Sequence, residues 1–233
     1  MKEKILILGD GLLGSELIKQ TGWDYLSPSK DNIDVIKKYG TFIKKILDIK
    51  PDIIINCIGY TNTYDKERQK HWDLNYKLVV NLTDFCSAND IKLIHISTDY
   101  VYANSTGSNS ENDVPVHQET WYGYTKLLSD AYVQLNSRNY LMFRCSFKPK
   151  PFPYERAYVN IKGNFDYVDV IAGQMIELIK ENRTGVWNIG TEYKSIFDLA
   201  YQTKSDVGEA QSFKLPTIMM SLFKFKNRKK KRY

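Results

Sequence analysis

Short apolar runs alternate along the first 147 positions with longer segments in which apolar residues recur every three or four places. Lys4-Ile5-Leu6-Ile7-Leu8, Trp23-Asp24-Tyr25-Leu26, Pro51-Asp52-Ile53-Ile54-Ile55-Asn56, Lys92-Leu93-Ile94-His95-Ile96 and Tyr140-Leu141-Met142-Phe143-Arg144 read as strands. Between them the spacing predicts helices from Ser15 onward and over 35–49, 66–88 and 122–135. Leu78, Leu82 and Phe85 mark the buried stripe of the third helix. Strand and helix in alternation imply an α/β chain with a doubly wound parallel sheet. Beyond residue 147 the pattern thins. A helix over 168–181, a strand and turn over 185–190 and a capped short helix over 195–203 close the chain.

Length and composition suit one α/β domain with a modest elaboration, or one domain plus a small lobe: 233 residues with 42% hydrophobic content, and no apolar stretch near the ~20 residues of a membrane span. The start leads from Met1-Lys2-Glu3-Lys4 directly into a strand rather than a signal peptide, and three widely spaced cysteines suggest no metal-ligand set. A reduced, cytoplasmic protein is expected. The net charge of +6 belongs to the end, where Lys224, Lys226, Arg228, Lys229, Lys230, Lys231 and Arg232 supply seven positive charges and the rest carries −1. That tail is either a solvated end or a contact for an acidic partner, RNA or an anionic membrane. The expected organisation is therefore 1–147 for a dinucleotide-binding unit, 148–213 for an abridged substrate lobe with late sheet elements, and 214–233 for the tail.

The first strand runs into Gly9-Asp10-Gly11-Leu12-Leu13-Gly14 and then a helix, the context in which G-x-G-x-x-G cradles a pyrophosphate on backbone amides and a helix N-terminus. The fold is accordingly expected to be Rossmann-like. At the end of the second strand, Ser27-Pro28-Ser29-Lys30 offers no acid and one cation, which leans slightly from NAD(H) towards NADP(H). Asp34 is expected to cap the next helix or lie near the adenine. The small residues Cys57-Ile58-Gly59, followed by Tyr60 and Thr61, end the third strand. They either admit a cofactor close to the backbone or form a simple turn.

Residues 97–126 carry the candidate chemistry. Thr98 follows the fourth strand, and a polar segment over 103–120 leads to a helix on which Tyr122 and Lys126 share a face. The segment between them reads as a surface loop, either a cover for substrate or a tolerated insertion. A tyrosine ordinarily titrates near ~10. A neighbouring ammonium is expected to lower that value and make Tyr122 a better proton donor, while Thr98 hydrogen-bonds an oxygen acquiring charge. Among 17 tyrosines, Tyr-x-x-x-Lys by itself more often describes an exposed helical pair, and only its company changes that. Tyr124, two residues from Lys126, falls on another face.

Taken together, Ile55 to Thr61, Ser97-Thr98-Asp99-Tyr100-Val101-Tyr102, Tyr122-Gly123-Tyr124-Thr125-Lys126-Leu127 and Phe143-Arg144-Cys145-Ser146-Phe147 resemble the extended short-chain dehydrogenases/reductases. More narrowly, they are similar to the dTDP-4-dehydrorhamnose reductase branch. The resemblance implies a catalytic set of Thr98, Tyr122 and Lys126, with Lys126 also holding the nicotinamide ribose. It further implies a nucleotide-sugar substrate met by Thr98, Asp99, Tyr100 and Phe147. It implies reduction of a 4-keto-deoxysugar by NADPH or NADH, for polysaccharide synthesis. A nucleotide-binding regulatory subunit and an epimerase or dehydratase are the alternatives. The chain departs from the family in a glycine turn one residue tighter and in a shortened substrate region after Phe147. Glu16 matches a position tied in some relatives to a metal-assisted dimer. A homodimer is left open, and no required metal is expected.

Overall fold

The computed structural model describes residues 3–113 and 119–222. The basic residues from Lys224 onward and the middle of the polar loop lie outside the described residues. The chain enters through β1 (Ile5–Leu8), turns at Gly9 with φ of 92°, and starts α1 (Leu12–Thr21) inside the glycine fingerprint, three residues earlier than the pattern predicts. β2 (Asp24–Leu26) follows. The helix expected from residue 35 begins only at Tyr39, as α2 (Tyr39–Ile49). Asp34 causes the delay: its Oδ1 accepts from the amides of Ile36 (3.0 Å) and Lys37 (2.8 Å), which locks a capped turn ahead of the helix.

β3 (Ile53–Asn56) leads to α3 (Arg68–His71), which passes through a π-helical turn over Trp72–Lys77 into α4 (Leu78–Ala88). The continuous helix read from the sequence thus contains a wider turn. Asn75 within it clamps the backbone of Tyr60, accepting from its amide at 2.7 Å and donating to its carbonyl at 2.8 Å. β4 (Lys92–Ile96) precedes the polar segment, in which β5 (Ser108–Asn109) forms. α5 (Trp121–Asn136) is capped by the Thr120 hydroxyl, which accepts from the Gly123 amide at 3.0 Å. β6 (Tyr140–Arg144) and β7 (Phe147–Lys148) end the first unit.

The remainder comprises β8 (Arg156–Tyr158), β9 (Lys162–Gly163), β10 (Asp166–Tyr167), α6 (Val168–Lys180), β11 (Gly185–Asn188), β12 (Lys194–Ser195), α7 (Ile196–Tyr201), β13 (Gly208–Ala210) and β14 (Met219–Met220). A capping box at Ser195 and Asp198 starts α7. Residues 214–222, grouped with the tail in sequence, pair β14 with β5 and bury Ile218 and Met220.

Six parallel strands form the central sheet in the order β11-β6-β4-β3-β1-β2. Alternation along each strand sorts side chains onto two faces. Ile7, Ile53, Ile55, Ile94, Leu141 and Phe143 meet α1 and α6, whereas Leu6, Leu8, Ile54, Leu93 and Met142 meet α2, α4 and α5. A separate apolar cluster of Phe152, Ala157, Phe165, Tyr167, Leu199, Ala200 and Val207 holds the lobe. The doubly wound sheet and small lobe anticipated from the sequence are both present. Among the described residues, no helix is long and apolar enough to cross a membrane.

Candidate active site

A cavity of about 1010 Å³ opens over the carboxyl ends of β1, β3, β4 and β6, where such sheets place their ligands, and the lobe closes its far side. Its floor includes Gly11, Leu12, Leu13, Cys57, Ile58, Gly59 and Thr61, and its centre includes Thr98, Asp99, Tyr100, Tyr122, Lys126 and Phe147. The structure thus gathers the candidate catalytic and substrate residues with most of the cofactor residues.

The three fingerprint glycines do different work. A Cβ on Gly11 would meet nothing within 4 Å, so its backbone is free to approach a ligand. A Cβ on Gly14 would stand 2.0 Å from the Gly9 carbonyl oxygen, so this glycine lets α1 press on β1. Gly9 needs its positive φ for the turn. Neither Gly9 nor Gly14 lines the cavity.

Asp10, Ser27 and Lys30 form a corner of their own. Lys30 Nζ lies 2.5 Å from Asp10 Oδ2, and the Ser27 hydroxyl donates to Asp10 Oδ1 at 2.6 Å. The Lys30 ammonium and the Ser27 hydroxyl hold the Asp10 carboxyl below its ordinary range. An acid therefore does reach this corner, from the glycine turn rather than from the end of β2. Inspection of residues 27–30 alone missed it.

Thr98 caps the 3-10 turn over Asp99–Tyr102 by accepting from the Tyr100 amide at 3.1 Å, and its hydroxyl donates to Asp99 Oδ1 at 3.2 Å. Asp99 is buried, and its carboxyl is pushed up to about 6 by loss of solvent, against the pull of the Lys148 ammonium. Tyr122 stands on the first turn of α5. Its ring lies edge-on to Tyr100 (6.1 Å between centroids) and His71 (6.3 Å). Tyr124 instead packs on Trp121 and is 44% exposed, in keeping with its other helix face.

The electrostatics differ from the sequence expectation. Burial pushes the Tyr122 phenol above its ordinary value, with the Thr98 hydroxyl opposing the rise. The Lys126 ammonium does not reverse that rise; its Nζ donates to the Ile96 carbonyl at 2.6 Å and lies 3.4 Å from His95 Nε2. Burial brings Lys126 down to about 8, against the Asp130 carboxylate. Helical spacing put Tyr122 and Lys126 on one face but carried no information about what the ammonium meets behind it.

Further cavity residues emerge only here. Asn56 lines the floor, with Nδ2 buried and without a hydrogen-bond partner. Lys148, Arg156 and Lys162 line the lobe side. Burial lowers Lys148 against the attraction of Asp99. A cation beside the aromatic Phe147 was the available signal, but the shortness of β7 hid its orientation. The Glu16 carboxylate accepts from Lys19 Nζ (3.2 Å) and Gln20 Nε2 (2.8 Å).

Residues 3–149 match the family model for the RmlD substrate binding domain. The chain belongs to that family. Among curated relatives, it is 27% identical over 160 residues to the spore coat polysaccharide biosynthesis protein SpsK of Bacillus subtilis, covering 62% of this chain and 53% of that protein. It is 25% identical over 183 residues to a dTDP-4-dehydrorhamnose reductase of Aggregatibacter actinomycetemcomitans, covering 74% and 61%. The chain thus spans little more than half the length of these relatives. The fold matches the crystal structure of a dTDP-4-dehydrorhamnose reductase from Bacillus anthracis in complex with NADP, with a TM-score of 0.80 at 23% identity over 96% of this chain and 89% of that one. It also matches the Bordetella bronchiseptica enzyme WbmG in complex with NAD and UDP, with a TM-score of 0.71 at 17% identity over 95% and 83%.

Proposed function

We propose that this family member is an NAD(P)H-dependent reductase of a nucleotide-linked 4-keto-deoxysugar. The observation that carries the reading is the meeting of Thr98, Tyr122 and Lys126 in one cavity with the open Gly11 turn. The cavity residues suit a dinucleotide: Gly11 leaves room at the backbone, the floor is apolar at Leu12 and Ile58, and the Asn56 amide has a donor to spare. Gly9, Gly14, Asp10, Ser27 and Lys30 shape and border the pyrophosphate and ribose end. The relatives whose structures contain NADP or NAD support a nicotinamide cofactor.

A bound nicotinamide supplies the hydride that reduces the carbonyl carbon. The chain's own residues handle the oxygen. Tyr122, kept protonated by burial, gives its proton to the oxygen as charge develops there. Thr98 orients the same oxygen, turning its hydroxyl from Asp99 to do so. Lys126 stabilises the tyrosinate left behind and holds the ribose hydroxyls through the N–H that Ile96 and His95 leave unused. Phe147, Tyr100 and Asp99 face the sugar, while Lys148, Arg156 and Lys162 give the lobe side a positive lining suited to a diphosphate.

In this scheme residues 1–147 carry the dinucleotide half and the catalytic residues, and 148–213 the substrate half. The corner at Lys30 keeps the lean towards NADP(H) slight, since Asp10 competes for the ammonium. A cytoplasmic site of action suits a reductant drawn from the nicotinamide pool.

The decisive assay is NADPH and NADH oxidation with dTDP- and UDP-linked 4-keto sugars. Substrate-dependent oxidation that falls about 10²–10⁴-fold in Tyr122→Phe, with dinucleotide affinity retained, is the expected result. Tight dinucleotide binding without reduction of any sugar would replace this reading with the binding module.

A further inference from the structure

Three polar side chains cross one face of the sheet beneath α5. His95 on β4, Arg144 on β6 and Asn188 on β11 share the face that Leu93, Met142 and Val186 make apolar, and all three are buried. Asn188 and Arg144 are register partners. Opposite them α5 presents Lys126, Ser129 and Asp130, also buried. His95 Nε2 lies 3.4 Å from Lys126 Nζ, 3.4 Å from Ser129 Oγ and 3.7 Å from Asp130 Oδ1. Asp130 Oδ2 accepts from Arg144 Nε at 3.1 Å. Arg144 Nη1 is fixed in turn by the Tyr102 hydroxyl at 2.6 Å and the Glu111 carbonyl at 3.2 Å.

Burying an ion pair of this kind rarely repays its desolvation, and apolar side chains of similar volume would fill the same face at least as stably. Its position is more informative. Asp130 lies one helical turn beyond Lys126, so the carboxylate sits behind the ammonium while the cavity lies in front. The groups facing Lys126 are His95 from β4, Asp130 and Tyr122 from its own helix, Cys57 after β3 and Cys145 after β6; Arg144 acts from beyond Asp130. The cysteine thiols are kept protonated by burial, that of Cys57 pushed up to about 12 and that of Cys145 above it. His95 is held neutral by burial and by the Lys126 charge. Tyr122 keeps its proton. Burial pushes the Asp130 carboxyl above its ordinary range, against the pull of the Arg144 and Lys126 cations; held at Oδ2 by Arg144 Nε at 3.1 Å, it is the acid placed to balance Lys126.

We propose that Asp130, seated by Arg144 one helical turn beyond Lys126, is a positioning residue that keeps the Lys126 ammonium charged and aimed at the cavity. Ile96 O and His95 Nε2 take two of its three N–H groups and leave one for a ligand. The consequence for catalysis rests on the reductase reading; the charge balance does not.

The test follows the titration of Lys126 in protein labelled with ¹³C at the lysine ε-carbon, its signal assigned by its loss in Lys126→Met. The parent midpoint is expected near 8. Asp130→Asn should lower it by about one unit or more, and Asp130→Glu should restore most of the shift. The double variant Asp130→Asn/Arg144→Gln removes both buried charges and guards against misfolding of the single one. It should still titrate below the parent, because the nearer charge is the one lost. In active protein the alkaline limb of kcat/KM should move with the midpoint, and KM for the dinucleotide should rise. A purely structural pair would lower Tm and leave the midpoint in place. An unmoved midpoint in either folded variant overturns the proposal even if sugars are reduced. A moved midpoint with no reduction of any sugar sustains it and removes the reductase reading instead.

Discussion

The two sides of the cavity are built differently. The floor stands on strands of four or five residues whose side chains are almost wholly buried, so backbone register fixes Gly11, Cys57 and Thr98. The lobe side hangs on strand pairs of two or three residues, β7 with β10, β8 with β13 and β9 with β12, and presents Lys148, Arg156 and Lys162. Arg156 also ties its own wall together, donating from Nε (2.9 Å) and Nη2 (2.7 Å) to the Glu209 carbonyl. In the proposed scheme, chemistry that needs positions held within fractions of an ångström sits on the floor, and recognition of a flexible, charged substrate falls to side chains on the wall. Substitutions on the floor should therefore disturb folding or catalysis, and those on the wall chiefly substrate affinity.

The largest break in that contrast should come from Gly14→Ala. Its Cβ would stand 2.0 Å from the Gly9 carbonyl oxygen, so α1 must lift from β1. A loss of about 2–3 kcal/mol in denaturant unfolding is expected, with no measurable dinucleotide affinity. Gly11→Ala is the control within the same turn: its Cβ meets nothing, so Tm should hold while dinucleotide affinity falls. Equal destabilisation of the two variants would remove the distinction drawn between them.

Asp99 lies where floor meets wall. Its folded-state value of about 6 exceeds that of an unfolded carboxyl, so folding binds its proton more tightly. The stability it contributes is complete below about pH 4 and is lost as pH rises through about 6. Asp99→Asn should accordingly be about 1–3 kcal/mol more stable than the parent at pH 7, the difference vanishing near pH 4 in urea titrations. A constant difference across that window would show that Asp99 is not the group involved.

On the wall, Lys148→Met should raise KM for a nucleotide sugar by about tenfold and leave dinucleotide affinity alone. It should also push the Asp99 carboxyl further up, because the ammonium now opposes that rise. The smallest effect should come at the ribose corner. Asp10→Asn frees Lys30 and removes an acid, so the ratio of NADPH to NADH affinity should increase by about two- to fivefold, as measured by fluorescence titration. A shift towards NADH would reverse the assignment of the corner.

The strands, their parallel sense and the glycine turn were legible because each rests on local pattern: apolar runs for buried strands, and glycine where no side chain fits. Tyr122 was separable from Tyr124 for a similar reason, since residues four apart share a helix face and residues two apart do not. The early start of α1 and the late start of α2 were not legible. The first begins within the fingerprint itself, and the second waits on the hydrogen bonds of Asp34. The acid beside Lys30 escaped because it comes from a turn 17 residues or more away in sequence.

The sequence by itself determined a doubly wound α/β chain and the residue types of its cavity, since hydrophobic period and turn chemistry act over a few neighbouring residues. Tertiary structure decided the charges. Lys126, Asp130, His95 and Arg144 come from one helix and two strands, and only their burial together sets which of them is charged. The raised Tyr122 phenol has the same origin: loss of water outweighs the Thr98 hydrogen bond that favours the phenolate. Desolvation depends on everything packed around a group, and no window of sequence contains that.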